Sequence, residues 1–205
     1  MADESSRRFL FVAIDRATRW VFIRIYSSKT AANARRFLRD LERACPMRIR
    51  TVLTERAIDG AIGSSPMASG REFTDRRFGL RKRAATGQHA FDLLCRDLGI
   101  DHRLAPPPHP QTNGPPLGDC KQSPAGQRVE RFNGRIEAVL QSHHFRSGED
   151  LQATLHRYVA LYNQQLPQSA LGSKTPLQTM KDWHILKPEL FKKQPYYLAG
   201  YDSYS

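Results

Sequence analysis

The strongest constraint on the fold lies between residues 7 and 54. Two β-favouring runs, a helical segment and a further apolar run follow one another there with little between them. RRFLFVAID and WVFIRIYSS are separated only by the short turn Arg16–Arg19 and read as a hairpin. In the second run Val21, Ile23 and Ile25 alternate with Phe22, Arg24 and Tyr26, the period of a half-buried strand. KTAANARRFLRDLERAC is a helix capped by Thr30, with Ala34, Phe37, Leu38, Leu41 and Cys45 on its apolar face. Pro46 ends it, and MRIRTVLT follows as a short buried strand. This order predicts an α/β fold, a mixed sheet flanked by helices.

Further along, QHAFDLLCRDLGI is a second helix, with Phe91, Leu94, Cys95 and Leu98 inward and Gly99 as its stop. DHRLA is one more brief strand before the proline-rich PPPHPQTNGPP, and LGDCKQSPAG reads as loop. From Gln127 a helix places Val129, Phe132, Ile136, Val139 and Leu140 on one face and Glu130, Gly134 and Glu137 on another. SGEDLQATLHRYVALYNQQ is amphipathic, with Ser147 and Asp150 spaced for a capping box. KTPLQTMKDW opens a last short helix with Pro176 at its first position. The segment from Lys187 is aromatic and weakly patterned. No internal repeat is present.

The charge balance narrows the partners. Lys and Arg number 32 against 20 Asp and Glu, a formal net charge of +12, which draws the chain toward polyanions and above all nucleic acid. The 3 cysteines form neither a disulfide framework nor a zinc site, because none lies in a C-x-x-C pair or near His at finger spacing. No apolar run approaches the roughly 20 residues that span a bilayer, and the N-terminus lacks a signal-peptide pattern. A cytoplasmic protein with no membrane partner is expected.

The segments PQTNGPP, RVERFNGRIEAVL and ALYNQQLPQSALGSKTPLQTM follow in that order. With FVAIDRATRWVFIRIY and KTAANARRFLRDL upstream, they resemble the catalytic core of insertion-sequence transposases of the retroviral-integrase type, whose fold is ribonuclease-H-like. The resemblance covers nearly the whole chain. It implies DNA transposition or integration by two divalent metal ions, Mg²⁺ or Mn²⁺, held by two aspartates and a glutamate. The implied division is a catalytic core over 7–145, a C-terminal helical part over 146–186 and a tail over 187–205.

The resemblance assigns the three carboxylates unequally. Glu130 matches the family glutamate in VERFNG and is the implied catalytic and metal-binding acid. PPLGDCKQSPAGQ, however, stands before it as an insertion near 115–127. The family's second aspartate ends a strand in Leu-Thr-Asp-Asn-Gly, followed by Glu-Phe-Thr. This chain has VLT, then Glu55, then a foreign stretch over 55–70, then REFT. Glu55 occupies the aspartate's place with one extra methylene and is the second implied ligand. Asp59, beside Gly60, has the right chemistry but lies beyond the strand, and Glu72 matches a neighbour that the family does not use for metal. The first carboxylate suggests Asp15, which ends a strand, but by position Asp15 matches the hairpin turn. The chain is therefore expected to lack the central first strand that carries the family's first aspartate. As a truncated, interrupted derivative it is expected to be impaired in catalysis.

Arg76, Arg77, Arg81, Lys82 and Arg83, with Arg128, Arg131, Asn133 and Arg135, are the candidate DNA contacts, of a kind that binds phosphate without choosing sequence. Lys29, Arg35, Arg36, Arg39, Arg48 and Arg50 offer further phosphate contacts or solvated faces. Expected partners are DNA and, as a multimer, further copies or a full-length transposase. The alternative function is a non-catalytic remnant that binds DNA or the transposase itself.

Overall fold

The structure, a computed structural model, describes residues 8–54, 72–75, 86–104 and 126–195, with backbone only for 126–131. β1 (Phe9–Ile14) and β2 (Val21–Tyr26) pair antiparallel from Phe9↔Tyr26 to Ile14↔Val21. Asp15 closes the connection. Its Oδ2 accepts from the N–H groups of Ala17 at 3.1 Å and Thr18 at 2.7 Å, and from the Thr18 hydroxyl at 2.7 Å. Arg19 takes a positive φ of 62° to bring the chain back into β2.

The hairpin departs from expectation in one respect: both of its faces are covered. Phe11 and Phe22 join Trp20, Phe37, Leu38 and Phe91 in one apolar core. Val21 and Ile23 join Phe132, Ile136, Leu155, Val159 and Tyr162 in another. The alternation in β2 therefore separates two cores and not core from water. Arg24, the polar member of the series, is half-buried and ion-paired with Asp40 at 3.2 Å.

The helices that supply these cores follow from their caps and stripes. α1 (Ala31–Ala44) starts at Thr30, whose hydroxyl accepts from the Asn33 N–H at 3.2 Å. It buries Ala34, Phe37, Leu38 and Leu41 against the first core. α2 (Ala90–Asp97) is capped by the His89 ring and stops before Gly99, which adopts φ 68°. Leu98, expected inward, is turned out at 38% exposure by this early stop, and Ile100 enters the core in its place.

β3 (Thr51–Thr54) and β4 (Asp101–Leu104) pair in parallel, Thr51 opposite Asp101 and Thr54 opposite Leu104. β3 is shorter than the MRIRTVLT run and only half-buried. The residues before it are held instead by a bridge between Met47 and Phe191. Two two-stranded sheets result, and among the described residues no strand joins β1 to β3. Phe9, Phe11, Val52 and Ile100 nevertheless pack into the same core.

α3 (Gly126–Ser142) and α4 (Gly148–Gln164) cover the opposite face of the hairpin. Ser147 caps α4 by accepting from the Asp150 N–H at 3.2 Å. The Asp150 carboxylate reaches Arg146 N–H, not that of Ser147, so the capping box is only half made. The full box stands at α5 (Pro176–Leu186), where Thr175 and Gln178 exchange bonds of 3.2 and 2.9 Å. α5 places a fully buried Met180 in the first core. The segment from Lys187 does not trail away: Pro188–Leu190 forms a 3₁₀ turn and Phe191 is buried in that same core.

Candidate functional site

The end of β3 is the first part of the site. The chain leaves β3 at Thr54 and β4 at Leu104, at the same end of the parallel pair. Glu55 and Asp59, which follow Thr54, lie outside the described residues, as do Arg76, Arg77, Arg81, Lys82 and Arg83. What fixes Thr54 is fully described. Its hydroxyl lies 2.8 Å from His102 Nε2, and His102 Nδ1 is hydrogen-bonded to Asp92 Oδ1 on α2. The Phe91 ring meets the His102 ring edge-on at 5.0 Å. A carboxylate on Nδ1 sets that nitrogen as donor, and in the neutral ring Nε2 is then the acceptor for the threonine hydroxyl. The relay ties the last residue of β3 to β4 and α2. Its three members come from separate segments, so no local sequence pattern marks it.

The described residues that follow, Glu72 to Asp75, are anchored as well. Glu72 is buried at 4% exposure, with Lys29 Nζ 3.6 Å from its Oε1. Phe73 beside it contacts Phe11 at 5.8 Å and Phe91 at 5.1 Å. Asp75 is hydrogen-bonded to the Thr86 N–H at 3.1 Å and to its hydroxyl. Residues 72–75 therefore tie into the core between the hairpin and α2.

The second part of the site is α3. Glu130 stands on it two residues before Phe132, which is buried with Ile136 against the hairpin. The side chains of Glu130, Arg128 and Arg131 lie outside the description. Asn133 is half-buried and Arg135 is exposed. The Arg135 guanidinium sits 5.7 Å from the centre of the Tyr162 ring and donates to Gln168 Oε1 at 3.5 Å.

α4 braces this arrangement through Asn163, which stands in the ALYNQQ segment of the resemblance, where no role was assigned to it. Its Oδ1 accepts from the Val21 N–H at 2.9 Å and its Nδ2 donates to the Val21 carbonyl at 2.8 Å. One side chain thus satisfies the outer edge of β2 where a neighbouring strand would otherwise bond.

The overall arrangement is similar to the catalytic core domain of BIV integrase, with a TM-score of 0.53 over 87% of this chain and 89% of that one, at 15% identity. The fold is that of an integrase catalytic core. A chain in the simian T-cell lymphotropic virus intasome, solved with PP2A regulatory subunit B56 gamma, gives a TM-score of 0.52 at 16% identity. The match covers 83% of this chain and 47% of that one, so the present chain spans about half its length. Residues 121–176 match the family model described as Integrase core domain. That span holds α3, α4 and the Thr175–Pro176 start of α5, and so contains both Glu130 and Asn163. No curated protein matches the sequence.

Within this fold the role of Asp15 is set by its turn. Its Oδ2 already takes three hydrogen bonds inside its own turn, which accounts for an acid at this position without a metal. Among the described residues no group of three or more His, Cys, Asp and Glu side chains is arranged to hold an ion. Cys45 and Cys95 are buried free thiols whose pKa values burial pushes up to about 11 and about 12, which keeps them protonated and unreactive. No helix among the described residues is long and apolar enough to cross a membrane.

Proposed function

We propose that this chain is a DNA transposition or integration core that binds DNA and is impaired in strand cleavage. The observation that carries the reading is the integrase-core match over residues 121–176, which includes Glu130 on a helix packed against the hairpin. The integrase-like fold of the chain supports it, and the excess of 32 basic over 20 acidic residues suits a phosphate backbone as partner.

Glu130 and Glu55 are the residues proposed to hold a divalent ion, Mg²⁺ or Mn²⁺. Bound there, the ion would supply charge stabilisation at a phosphodiester. Asp15 is not proposed as a third ligand, since its Oδ2 serves the turn. Glu55 has one methylene more than the aspartate of the resembled family, and such a shift of a reacting centre is costly in rate. Arg128, Arg131, Asn133 and Arg135 on α3, with the basic residues 76–83, are the proposed DNA contacts. Multimers with further copies or with a complete transposase belong to the same proposal.

The test combines duplex binding over a range of salt with a cleavage and strand-transfer assay on supercoiled DNA in Mg²⁺ or Mn²⁺. Binding that weakens steeply with salt, with no products above background, is the expected result. Absence of any DNA binding at low salt would overturn the proposal.

A further inference from the structure

α1 carries four arginines, and the fold leaves three of them on one exposed stripe. Arg36, Arg39 and Arg43 fall at i, i+3 and i+7, opposite the buried Ala34, Phe37, Leu38 and Leu41. Like charges three and four residues apart on a helix repel and weaken it. Carboxylates on the same helix could relieve this, but both are engaged elsewhere. Asp40 is paired with Arg24 on β2 at 3.2 Å, and Glu42 is paired with Lys192. Among the described residues none of the three stripe arginines has an ion-pair partner.

The chain then adds positive charge to the same end of the helix. The N–H of Lys192 donates to the Pro46 carbonyl at 2.8 Å, and the N–H of Arg48 donates to the Leu190 carbonyl at 2.8 Å. These bonds hold the segment after Leu190 against the C-terminus of α1. Lys193 Nζ donates to the Arg43 carbonyl at 2.8 Å, a position the helix dipole favours for a cation. That bond uses one of its three N–H groups. Arg48 and Lys193 are both exposed. Cations from three separate segments therefore converge at one end of a stripe whose own helix has both of its acids paired with other segments.

The position of this surface distinguishes it from the site above. α1 packs on the hairpin face that carries Phe11 and Phe22, whereas α3 and α4 pack on the face that carries Val21 and Ile23. The stripe thus looks away from Glu130 and Arg135, across a sheet and two helices each about 10 Å in diameter.

We infer that the Arg36–Arg39–Arg43 stripe, extended by Arg48 and Lys193, is a second binding surface for the phosphate backbone of duplex DNA. Guanidinium groups suit phosphate because their forked donors match its oxygens. No base-reading element accompanies the stripe, so binding is insensitive to sequence and is driven by counterion release. The inference extends the proposed DNA function to another face and does not depend on catalysis.

The experiment is fluorescence anisotropy of a short random-sequence duplex with the full chain in EDTA, repeated over a range of salt. The Arg36→Ala/Arg39→Ala/Arg43→Ala variant should lower the slope of log affinity against log salt by about 2 to 3 and weaken binding at least about tenfold. The same three positions changed to Lys should restore the slope, because charge and not shape sets it. Far-UV circular dichroism of each variant checks folding, and the exposed positions should leave it unchanged. Arg135→Ala on the opposite face should remove at most about one unit of slope. An unchanged slope in the triple Ala variant overturns the inference, as does a wild-type chain that binds no duplex. Preference for single-stranded RNA through the same arginines overturns the assignment to duplex DNA. Strand-transfer products, measured in parallel, report separately on the proposed function.

Discussion

The side-chain amide of Asn163 on α4 holds the backbone of Val21 from both sides, accepting its N–H at 2.9 Å and donating to its carbonyl at 2.8 Å. This pair, 142 residues apart in sequence, locks the helical half of the chain onto the outer edge of the hairpin. Asn163→Ala would leave both backbone groups without a partner, each at a cost of about 1 to 3 kcal/mol. Urea denaturation should show a loss within that range or above it, and amide exchange at Val21 should accelerate. Asn163→Asp keeps an acceptor but loses the donor, so it should fall between wild type and Ala.

The relay Thr54–His102–Asp92 makes the end of β3 sensitive to one hydroxyl. Thr54→Val preserves shape but removes the partner of His102 Nε2, and should cost about 1 to 2 kcal/mol. Thr54→Ser should recover most of that. Thermal or urea unfolding of the two variants checks the difference. Equal stability of Val and Ser variants would mean that the hydroxyl does not hold the strand end.

His156 gives the fold a defined acid response. Burial, and then the positive charge of Arg24, lowers its pKa from 6.5 to about 4. Between these values the unfolded chain binds a proton that the folded chain refuses, so this contribution is complete above about pH 6.5 and is lost as pH falls toward 4. The loss should be on the order of 2 to 3 kcal/mol. His156→Leu should flatten the stability profile over that window relative to wild type, and the imidazole NMR shifts should stay those of the neutral ring until near the lower limit.

β1 should show alternating amide protection. Asp15 N–H donates to the Trp20 carbonyl at 2.8 Å, which puts Ala13 and Phe11 in hydrogen-bonded pairs with β2. The N–H groups of Leu10, Val12 and Ile14 then point to the opposite edge, where no strand lies among the described residues. Hydrogen exchange should be slow at Phe11 and Ala13 and fast at Leu10 and Val12. Uniform slow exchange would show that a further strand sits against this edge.

Much of this fold was legible in the chain. Local signals such as Thr30, Gly99 and the Thr175–Pro176 pair mark helix ends through their own backbone chemistry, and they stand where the sequence places them. Long-range relations were less accessible. The alternation of β2 reads the same whether its second face meets water or another helix, so the double burial of the hairpin appears only once α3 and α4 are docked. Leu98 has the period of an inward residue, but the positive φ of Gly99 ends the helix before that period can be used. Of the candidate site, Asp15 was correctly legible as a turn residue, because an aspartate bonding backbone N–H groups two and three positions ahead is a local event. Asn163 and His102 were not, since their partners lie on distant segments and nothing in the residue type alone names them.

The most direct test of the account is cleavage and strand transfer on supercoiled DNA in Mg²⁺ or Mn²⁺, comparing wild type with Glu130→Gln at matched DNA occupancy. The account predicts that both proteins bind DNA and that neither yields nicked or joined product above background. Robust turnover by the wild-type chain that Glu130→Gln abolishes would contradict it.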